Sequence, residues 1–509
     1  MVSQLKTGIV LNYINLALSG LIPFFYTPIM LSILGQEEYG LYRLSSSVTS
    51  YLSLISLGLG SAITRYLIKA REESGHEEEM RVLGLFTKLF RGIAIASIVL
   101  GVLMSMSVHV FYTQSLSEDE IFKMRILILI LVCNLSVNFV ATPYISIVNA
   151  HERFIFLQTM AIFGTCVGPI LNIIALYMGY ASYGLAVSSL MATVVFRIIF
   201  YWYVNIHLKL VPKYGKADPL LIKEILLFSL WVFISNMVEQ LYATTDMVLI
   251  GAIPSLATIG VAVYNVGTIF SGMIFTINAG ISSLLLPKAN RMVFSGASNE
   301  ELTTEAVRFG RIQCLIISLF AFGFIAFGRP FIHFYVGDEY QEAYVIAMLC
   351  MFPLMIPLVQ SFCLNILIAK NRNQFRALTY LVIALLKVLG TWLLLKSMGI
   401  RGAAIMTCIA FVLGHGLIMN WYYLNRLGLN IVRFWREILR TLYVPAILAV
   451  LSLLLYHVID FYKMPCLLGG ILVFTVLFCM LTWYFVLNST EKHNFMRLVP
   501  MGDRMQSII

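Results

Sequence analysis

Residues 225–250 read ILLFSLWVFISNMVEQLYATTDMVLI, and this stretch decides the class of fold. A helix of about 20 apolar residues crosses a bilayer, so the stretch is long enough to do so. It nevertheless carries Glu239 and Asp246 well inside it, with Asn236 three residues before Glu239. Residues seven apart lie on the same side of a helix, so the two carboxylates are predicted to share one face. Ionisable groups at membrane depth are costly, and by default they mark a transport pathway or a binding site.

The whole chain has the composition of a polytopic membrane protein. Of its 509 residues, 60% are hydrophobic and 12% are charged, which is too apolar for a water-soluble chain of this length. The apolar stretches run to about 20 residues or more, which predicts helices and excludes the shorter strands of a membrane barrel. The net charge of +10 comes from short loops between the stretches, so it indicates topology, and no nucleic acid partner is expected. The eight cysteines form no Cys-x-x-Cys pair, so neither a disulfide nor a metal site is predicted.

We predict an all-α fold with fourteen membrane-spanning helices. No segment between them is long enough to fold alone, so the chain is expected to form one membrane domain. The predicted spans are residues 8–33, 44–67, 86–112, 124–149, 155–178, 183–207, 225–250, 258–286, 309–335, 344–369, 377–395, 402–425, 439–460 and 465–488.

The basic residues predict the orientation of these helices. With the amino terminus in the cytoplasm, 25 of the 35 Lys and Arg residues fall in cytoplasmic loops and tails, and seven fall on the opposite side. Cytoplasmic loops of membrane proteins are enriched in Lys and Arg, so both termini are predicted to be cytoplasmic. No small-residue cleavage site follows Lys6, and we expect the first helix to be retained.

An internal repeat divides the chain into segments. Asn12 and Asn15 in the first span correspond to Asn236 and Glu239 in the seventh at an offset of 224 residues. Weak internal symmetry of this kind is typical of transporters. We therefore predict a six-helix lobe over 1–210, a second six-helix lobe over 211–426, and an appended helix pair with a cytoplasmic tail over 427–509.

Several short motifs resemble one family of membrane transporters. They are LGQEEYGLY at 34–42, TDMVLIG at 245–251, the Gly260 to Tyr264 segment, and GDEY at 337–340. In these motifs and in its fourteen spans, the chain resembles the polysaccharide-exporter branch of the multidrug/oligosaccharidyl-lipid/polysaccharide exporter superfamily, which contains the O-antigen flippases.

The resemblance implies two six-helix lobes around a cavity that opens alternately to each side of a bacterial cell (inner) membrane. It also implies a cargo, an undecaprenyl-diphosphate-linked oligosaccharide turned from the cytoplasmic to the outer leaflet, and a polysaccharide polymerase with chain-length machinery as further partners. The related flippases of peptidoglycan precursors carry charged residues in the first span, whereas this chain has only Asn12 and Asn15 there. That difference argues against lipid II as the cargo.

Cations and amides inside the spans are the candidate cargo contacts, because a diphosphate needs cations and sugars need polar partners. Lys387 lies at the centre of the eleventh span, where it either contacts the cargo or pairs with Glu239 or Asp246. The remaining candidates for the cavity are Arg65, Arg197, Asn12, Asn15 and Asn236. Snorkelling to the membrane surface is the alternative for Arg65, and helix–helix hydrogen bonding is the alternative for the amides.

Three titratable residues are candidates for ion coupling. Glu239 and Asp246 are the only acids that lie away from the end of a span, and a buried carboxylate that changes its charge could bind a proton or a sodium ion. His415, in the twelfth span, could join a proton relay, or it could be a hydrogen-bonded packing residue. Apart from a coupling H⁺ or Na⁺, no cofactor is predicted.

Three functions fit such a chain to different degrees. A flippase for lipid-linked oligosaccharide fits best. A cation-coupled drug exporter of the same superfamily is the second, but such exporters usually have twelve spans. A polytopic polymerase or glycosyltransferase is the third, but such an enzyme would be expected to have a large extracytoplasmic loop or an acidic catalytic motif there, and the outer loops near 113–123, 336–343 and 461–464 are all short. No nucleotide-binding loop and no nucleophile–base pair stands out, so we expect no enzyme activity.

Overall fold

The computed structural model describes residues 2–215, 219–282, 285–489 and 491–493, and these residues contain helices and no strand. Short 3₁₀ and π segments join or extend several of the α-helices. The α-helices are α1 Val2–Ser50, α2 Leu59–Ser74, α3 His76–Tyr112, α4 Glu118–Ala150, α5 Phe154–Tyr177, α6 Ala181–Trp202, α7 Pro219–Gly251, α8 Ala257–Ser282, α9 Leu285–Phe294, α10 Asn299–Val336, α11 Glu342–Val359, α12 Ser361–Ala369, α13 Asn373–Met398, α14 Ile400–Phe411, α15 Met419–Asn425, α16 Ile431–Leu439, α17 Tyr443–Leu455 and α18 Met464–Leu481.

Within the described residues, 13 helical stretches are long and apolar enough to cross a membrane. The first, Lys6–Ser74, has 69 residues. At 1.5 Å per residue it would be roughly 100 Å long, about three times the thickness of the hydrocarbon core. It is interrupted at Gly35, whose φ of 74° and ψ of 177° are not helical. The stretch therefore holds the first two predicted spans, and the all-α polytopic fold with about fourteen spans is confirmed.

The 34–42 motif forms this interruption in the chain. Gly35 adopts a positive φ that residues with a Cβ atom rarely adopt. Just after it, the Glu38 carboxylate accepts hydrogen bonds from the Nζ atom of Lys123 at 2.7 Å and from the backbone N–H of Ser182 at 3.2 Å. These contacts hold the motif against the start of α4 and the start of α6.

The other side of the same motif packs against α8. The buried Tyr39 hydroxyl donates to Oδ1 of Asn265 at 2.7 Å. Gly40 lies so close to the α8 backbone that a Cβ atom there would overlap the carbonyl oxygen of Thr258. This motif, which is one of those that carry the family resemblance, thus has a packing role, since it brings α1, α4, α6 and α8 together.

Several helices differ from the predicted spans in detail. The tenth span is divided into α11 and α12 at Gln360. A π-helix, Val412–Ile418, lies inside the twelfth span between α14 and α15. The sequence analysis missed α16, a short helix before the thirteenth span. It buries Ile431, Phe434 and Ile438 on one side, which is the spacing of an amphipathic helix.

The chain folds into two compact units. Unit one comprises Met1–Thr276, Val345–Cys350 and Asn373–Ala410, and unit two comprises Ile277–Tyr344, Met351–Arg372 and Phe411–Ile509. The predicted lobes follow chain order and internal repeat, so their boundaries at 210/211 and 426/427 stay a prediction. Residues 283–284 of the predicted eighth span and 494–509 of the predicted cytoplasmic tail lie outside the described residues.

Each unit has its own apolar core. In unit one, a cluster of buried side chains from α2, α3, α4 and α6 includes Phe86 and Ile147. In unit two, Phe327 and Phe474 belong to a cluster that packs α10 against α17 and α18. The core of unit one fixes the positions of α2, α4 and α6, which surround the cavity described next.

Candidate functional site

A polar cavity of about 980 Å³ lies inside unit one, between α2, α4, α5 and α6. Glycines, hydroxyl groups and amides make most of its wall, and Phe196 and Phe200 add aromatic surface. Among the described lining residues, Arg197 on α6 is the one that carries a charge. Hydroxyl and amide groups suit the hydrogen bonds of a sugar, and a guanidinium suits a phosphate. The polar lining residues besides Arg197 are Ser61, Thr64, Ser146, Asn149, Gln158, Thr165, Ser189 and Thr193.

Arg197 is half-buried and is oriented by one amide on α4. Its Nε and Nη2 atoms donate to Oδ1 of Asn138 at 3.0 Å and 2.6 Å. Asn138 in turn donates from Nδ2 to the carbonyl oxygen of Asn134, one turn earlier, at 3.0 Å. Among the described residues, no carboxylate forms an ion pair with this guanidinium, whose side-chain hydrogen bonds go to Asn138. An intramembrane cation without an acidic partner is suited to bind an anionic ligand.

Asn15 contacts the wall of the same cavity, whereas Asn12 does not line it. The Oδ1 atom of Asn15 accepts a hydrogen bond at 3.0 Å from the hydroxyl of Thr165, which is a lining residue on α5. Asn12 is exposed on α1, about one turn earlier. The structure therefore connects Asn15 to the cavity through Thr165, and the role of both amides as cargo contacts stays a prediction.

Arg65 follows two lining residues of α2, Ser61 and Thr64, but it does not line the cavity itself. Its side chain is exposed, and its guanidinium carbon lies 4.8 Å from the centre of the Phe228 ring on α7. A cation over an aromatic face is weakly attracted to it. The structure thus places the two predicted arginines differently, with Arg197 in the cavity wall and Arg65 outside it.

Lys387 and Asp246 form a buried ion pair in unit one. The Nζ atom of Lys387 lies 2.9 Å from Oδ2 of Asp246, and the lysine side chain is 0% exposed. The ammonium also donates to the carbonyl oxygen of Tyr242 at 3.0 Å. The hydroxyls of Tyr264 and Thr407 donate to the same carboxylate oxygen at 2.5 Å and 2.9 Å.

These contacts settle which acid lies next to Lys387 in this conformation. Of the two interpretations of Lys387, the ion pair with Asp246 describes the observed geometry, because the ammonium has no exposed surface. Glu239, on the same helix as Asp246, is exposed and forms no hydrogen bond or ion pair with a described residue. A cargo contact at Lys387 stays a prediction, and it would require the pair to open.

Asn236, predicted as a cavity residue, and His415, predicted as a coupling residue, do not join this pair. Asn236 is exposed on α7, like Glu239. His415 belongs to unit two, where it is half-buried in the π-helix and its ring stacks on Phe411 with centroids 5.5 Å apart. Within the described residues, no group of three or more His, Cys, Asp or Glu side chains is placed to hold a metal ion.

The structure also brings forward residues that the sequence analysis did not assign to a site. Asn138 and Asn134 are two of them, and their spacing of four residues is visible in the sequence. Thr165 and Thr407 carried no usable signal, since threonines are common in membrane helices. Only long-range packing shows that Thr165 lines the cavity and that Thr407 bonds to Asp246.

Comparison with known families identifies one match. The family described as polysaccharide biosynthesis protein matches residues 5–292, which is more than half of the chain. No curated protein sequence matches the chain significantly.

Solved structures share the fold at low sequence identity. A lipid II flippase MurJ in an inward closed conformation superposes with a TM-score of 0.71 at 15% identity, covering 94% of this chain and 99% of that one. An inward-facing MATE multidrug transporter of the MOP superfamily gives 0.59 at 14% identity, covering 78% and 93%. The Vibrio cholerae MATE transporter VcmN gives 0.56 at 16% identity, covering 84% and 98%. At these identities the likeness shows a shared fold.

Proposed function

Since the chain belongs to the polysaccharide biosynthesis protein family, we propose that it moves a polyprenyl-diphosphate-linked oligosaccharide across a bacterial cell (inner) membrane. The cargo enters from the cytoplasmic leaflet and leaves in the outer leaflet, where cell-surface polysaccharide is assembled. The protein acts as a multi-pass transporter with both termini in the cytoplasm, and it performs no bond-making step.

One observation carries this proposal, namely the placement of Arg197 in the wall of the polar cavity. A guanidinium that has no carboxylate partner in the described part of the chain favours an anionic cargo over a cationic one. The hydroxyls and amides around it offer both donors and acceptors, which the hydroxyl groups of a glycan require. Phe196 and Phe200 add aromatic faces, on which sugar rings can lie.

Translocation proceeds by alternating access, and an ion gradient can drive it. Asp246 already has an ammonium bound to it, so Glu239, which is exposed on the same helix, is the better candidate for a coupling carboxylate. The coupling ion is H⁺ or Na⁺, and His415 remains a second candidate for the proton route. On the outer face of the membrane, a polymerase that consumes the flipped unit is the expected partner.

The test is a strain that lacks this protein, in which the leaflet location of the lipid-linked repeat unit is measured. We expect the unit to accumulate on the cytoplasmic leaflet, and re-expression of the protein to restore its appearance outside. An unpolymerised unit in the outer leaflet would favour the polymerase function and contradict ours. Normal polysaccharide together with increased drug sensitivity would favour a small-molecule exporter, whose fold the chain also shares.

A further inference from the structure

A second concave surface of unit one lies on the other side of Arg197. It is a groove of about 650 Å³ between α3, α4 and α6, and its wall is almost entirely apolar. Ile95 and Ile98 on α3, Val140 on α4 and Ile198 on α6 are exposed along it.

The polar atoms of this groove are largely satisfied within the protein. The Ser136 hydroxyl bonds to the Ser97 hydroxyl at 2.7 Å and to the carbonyl oxygen of Val132 at 2.8 Å. Arg91 and Arg197 bring the positive charge, and both lie toward the predicted cytoplasmic ends of their helices. The groove therefore combines an apolar wall with cations at one end. An anionic lipid is complementary to it, because its chain is apolar and its head group is negatively charged.

Arg197 lines both the polar cavity and the apolar groove. Asn138, which accepts two hydrogen bonds from it, lines neither of them, so this pair lies on the seam between α4 and α6. On α4 the groove is lined from Cys133 to Tyr144, which corresponds to roughly 17 Å along a helix. That length is about half of the hydrocarbon core, so it suits a lipid chain better than a compact head group.

We propose that this groove holds the polyprenyl tail of the cargo while Arg197 binds its phosphate at the α4–α6 seam and the glycan occupies the polar cavity. The proposal rests on the proposed function, because it takes the cargo class from there. In the conformation described, the Arg197–Asn138 bond closes the seam. When the seam opens, a phosphate oxygen of the cargo replaces the Asn138 amide oxygen as the acceptor of the guanidinium hydrogen bonds. The cargo therefore enters laterally, from the lipid bilayer.

The first test uses the full-length protein in phosphatidylcholine nanodiscs and a polyprenyl diphosphate that carries a diazirine in the isoprene unit next to the diphosphate. After irradiation, we expect the label on groove residues of α3, α4 and α6. An excess of unlabelled undecaprenyl diphosphate should reduce the label, and Arg197→Ala should reduce it about tenfold, the loss expected for one charge-assisted contact.

The second test fills the groove. Val140→Trp should abolish the groove label and slow the appearance of the repeat unit outside the cell, because the larger side chain occupies the space of the tail. Leu129→Trp is the matched control, since Leu129 is exposed on the same helix but outside the groove. Both variants should elute from size-exclusion chromatography as the wild-type protein does.

The outcomes separate this inference from the proposed function. A label that the unlabelled lipid competes away, but that maps to helices other than α3, α4 and α6, would overturn the groove and leave the flippase intact. Label that does not respond to competitor would mean that ordinary bilayer lipid fills the groove, which also overturns the inference. If export of the repeat unit does not depend on this protein at all, the proposed function fails, and the tail site fails with it.

Discussion

The Nζ atom of Lys387 lies 2.9 Å from Oδ2 of Asp246, and both side chains are buried. The pair joins α13 to α7, and the carboxylate also accepts hydrogen bonds from the hydroxyls of Tyr264, Thr407 and Thr391. Two charges so enclosed neutralise each other, which makes α7 and α13 compatible with an apolar environment.

The first prediction concerns the stability of this pair. Removing one member leaves a buried charge without its partner, which costs about 3–5 kcal/mol in buried pairs. Lys387→Met and Asp246→Asn should therefore each lower the thermal unfolding midpoint of the purified protein, and the double variant should recover most of the loss. Lys387→Ala should also abolish export, through loss of this contact. Unchanged midpoints in both single variants would contradict the structural role.

The second prediction concerns Arg197 as the anion contact. Arg197→Ala should weaken binding of undecaprenyl diphosphate roughly 10- to 100-fold, the effect expected from losing one hydrogen-bonded charge. Arg197→Lys should retain part of the affinity, because lysine keeps the positive charge but lacks the planar guanidinium group that Asn138 orients.

Binding of the fluorescent or radiolabelled lipid to the purified protein provides this measurement. Arg81→Ala is the control, since Arg81 is exposed on α3 and pairs only with Glu77 and Glu78 among the described residues. Equal affinity in wild type and Arg197→Ala would remove the cavity from the proposed pathway.

The third prediction concerns Glu239 as the coupling carboxylate. Glu239→Gln should stop export while leaving the unfolding midpoint unchanged, because the side chain is exposed and bonds to no described residue, and such a side chain contributes little to stability. Transport into vesicles should lose its response to an imposed H⁺ or Na⁺ gradient.

Glu73→Gln is the matched control for this experiment, because Glu73 is an exposed glutamate near the end of α2 that forms no bond with a described residue. If Glu239→Gln exports normally and still responds to the gradient, the coupling ion binds elsewhere, and His415 becomes the next residue to replace.

The fourth prediction concerns the close contact of α1 with α8. Gly40→Ala should prevent accumulation of folded protein, because the added methyl group would overlap the Thr258 carbonyl. Gly92→Ala on α3 should be neutral or slightly stabilising, since a methyl group there meets no atom within 4 Å and alanine favours helix. The amount of monodisperse protein after detergent extraction measures both. Normal yields of Gly40→Ala would show that the two helices do not lie this close.

Much of the fold could be predicted from the sequence because helix formation in a membrane is a local property. Each stretch of about 20 apolar residues must satisfy its backbone hydrogen bonds internally, so its length and composition already predict a helix. The amphipathic helix α16 was missed for the same reason, since nine residues with three buried apolar side chains do not resemble a span. The break at Gln360 was missed as well, because the sequence is apolar on both sides of it and the whole stretch is long enough for one span.

For the candidate site, the sequence predicted which residues are involved but not how they are arranged. The sequence by itself determined that Arg197, Lys387, Asp246 and Glu239 are charges in an apolar setting, where each must be paired, exposed or functional. It also determined the all-helical class and the family motif at 34–42. Only the tertiary structure decided that Lys387 is enclosed with Asp246, that Glu239 is exposed, and that Arg197 lines a cavity. The physical reason is that a charge's partner comes from another helix, far away in the chain, and packing chooses which helices meet.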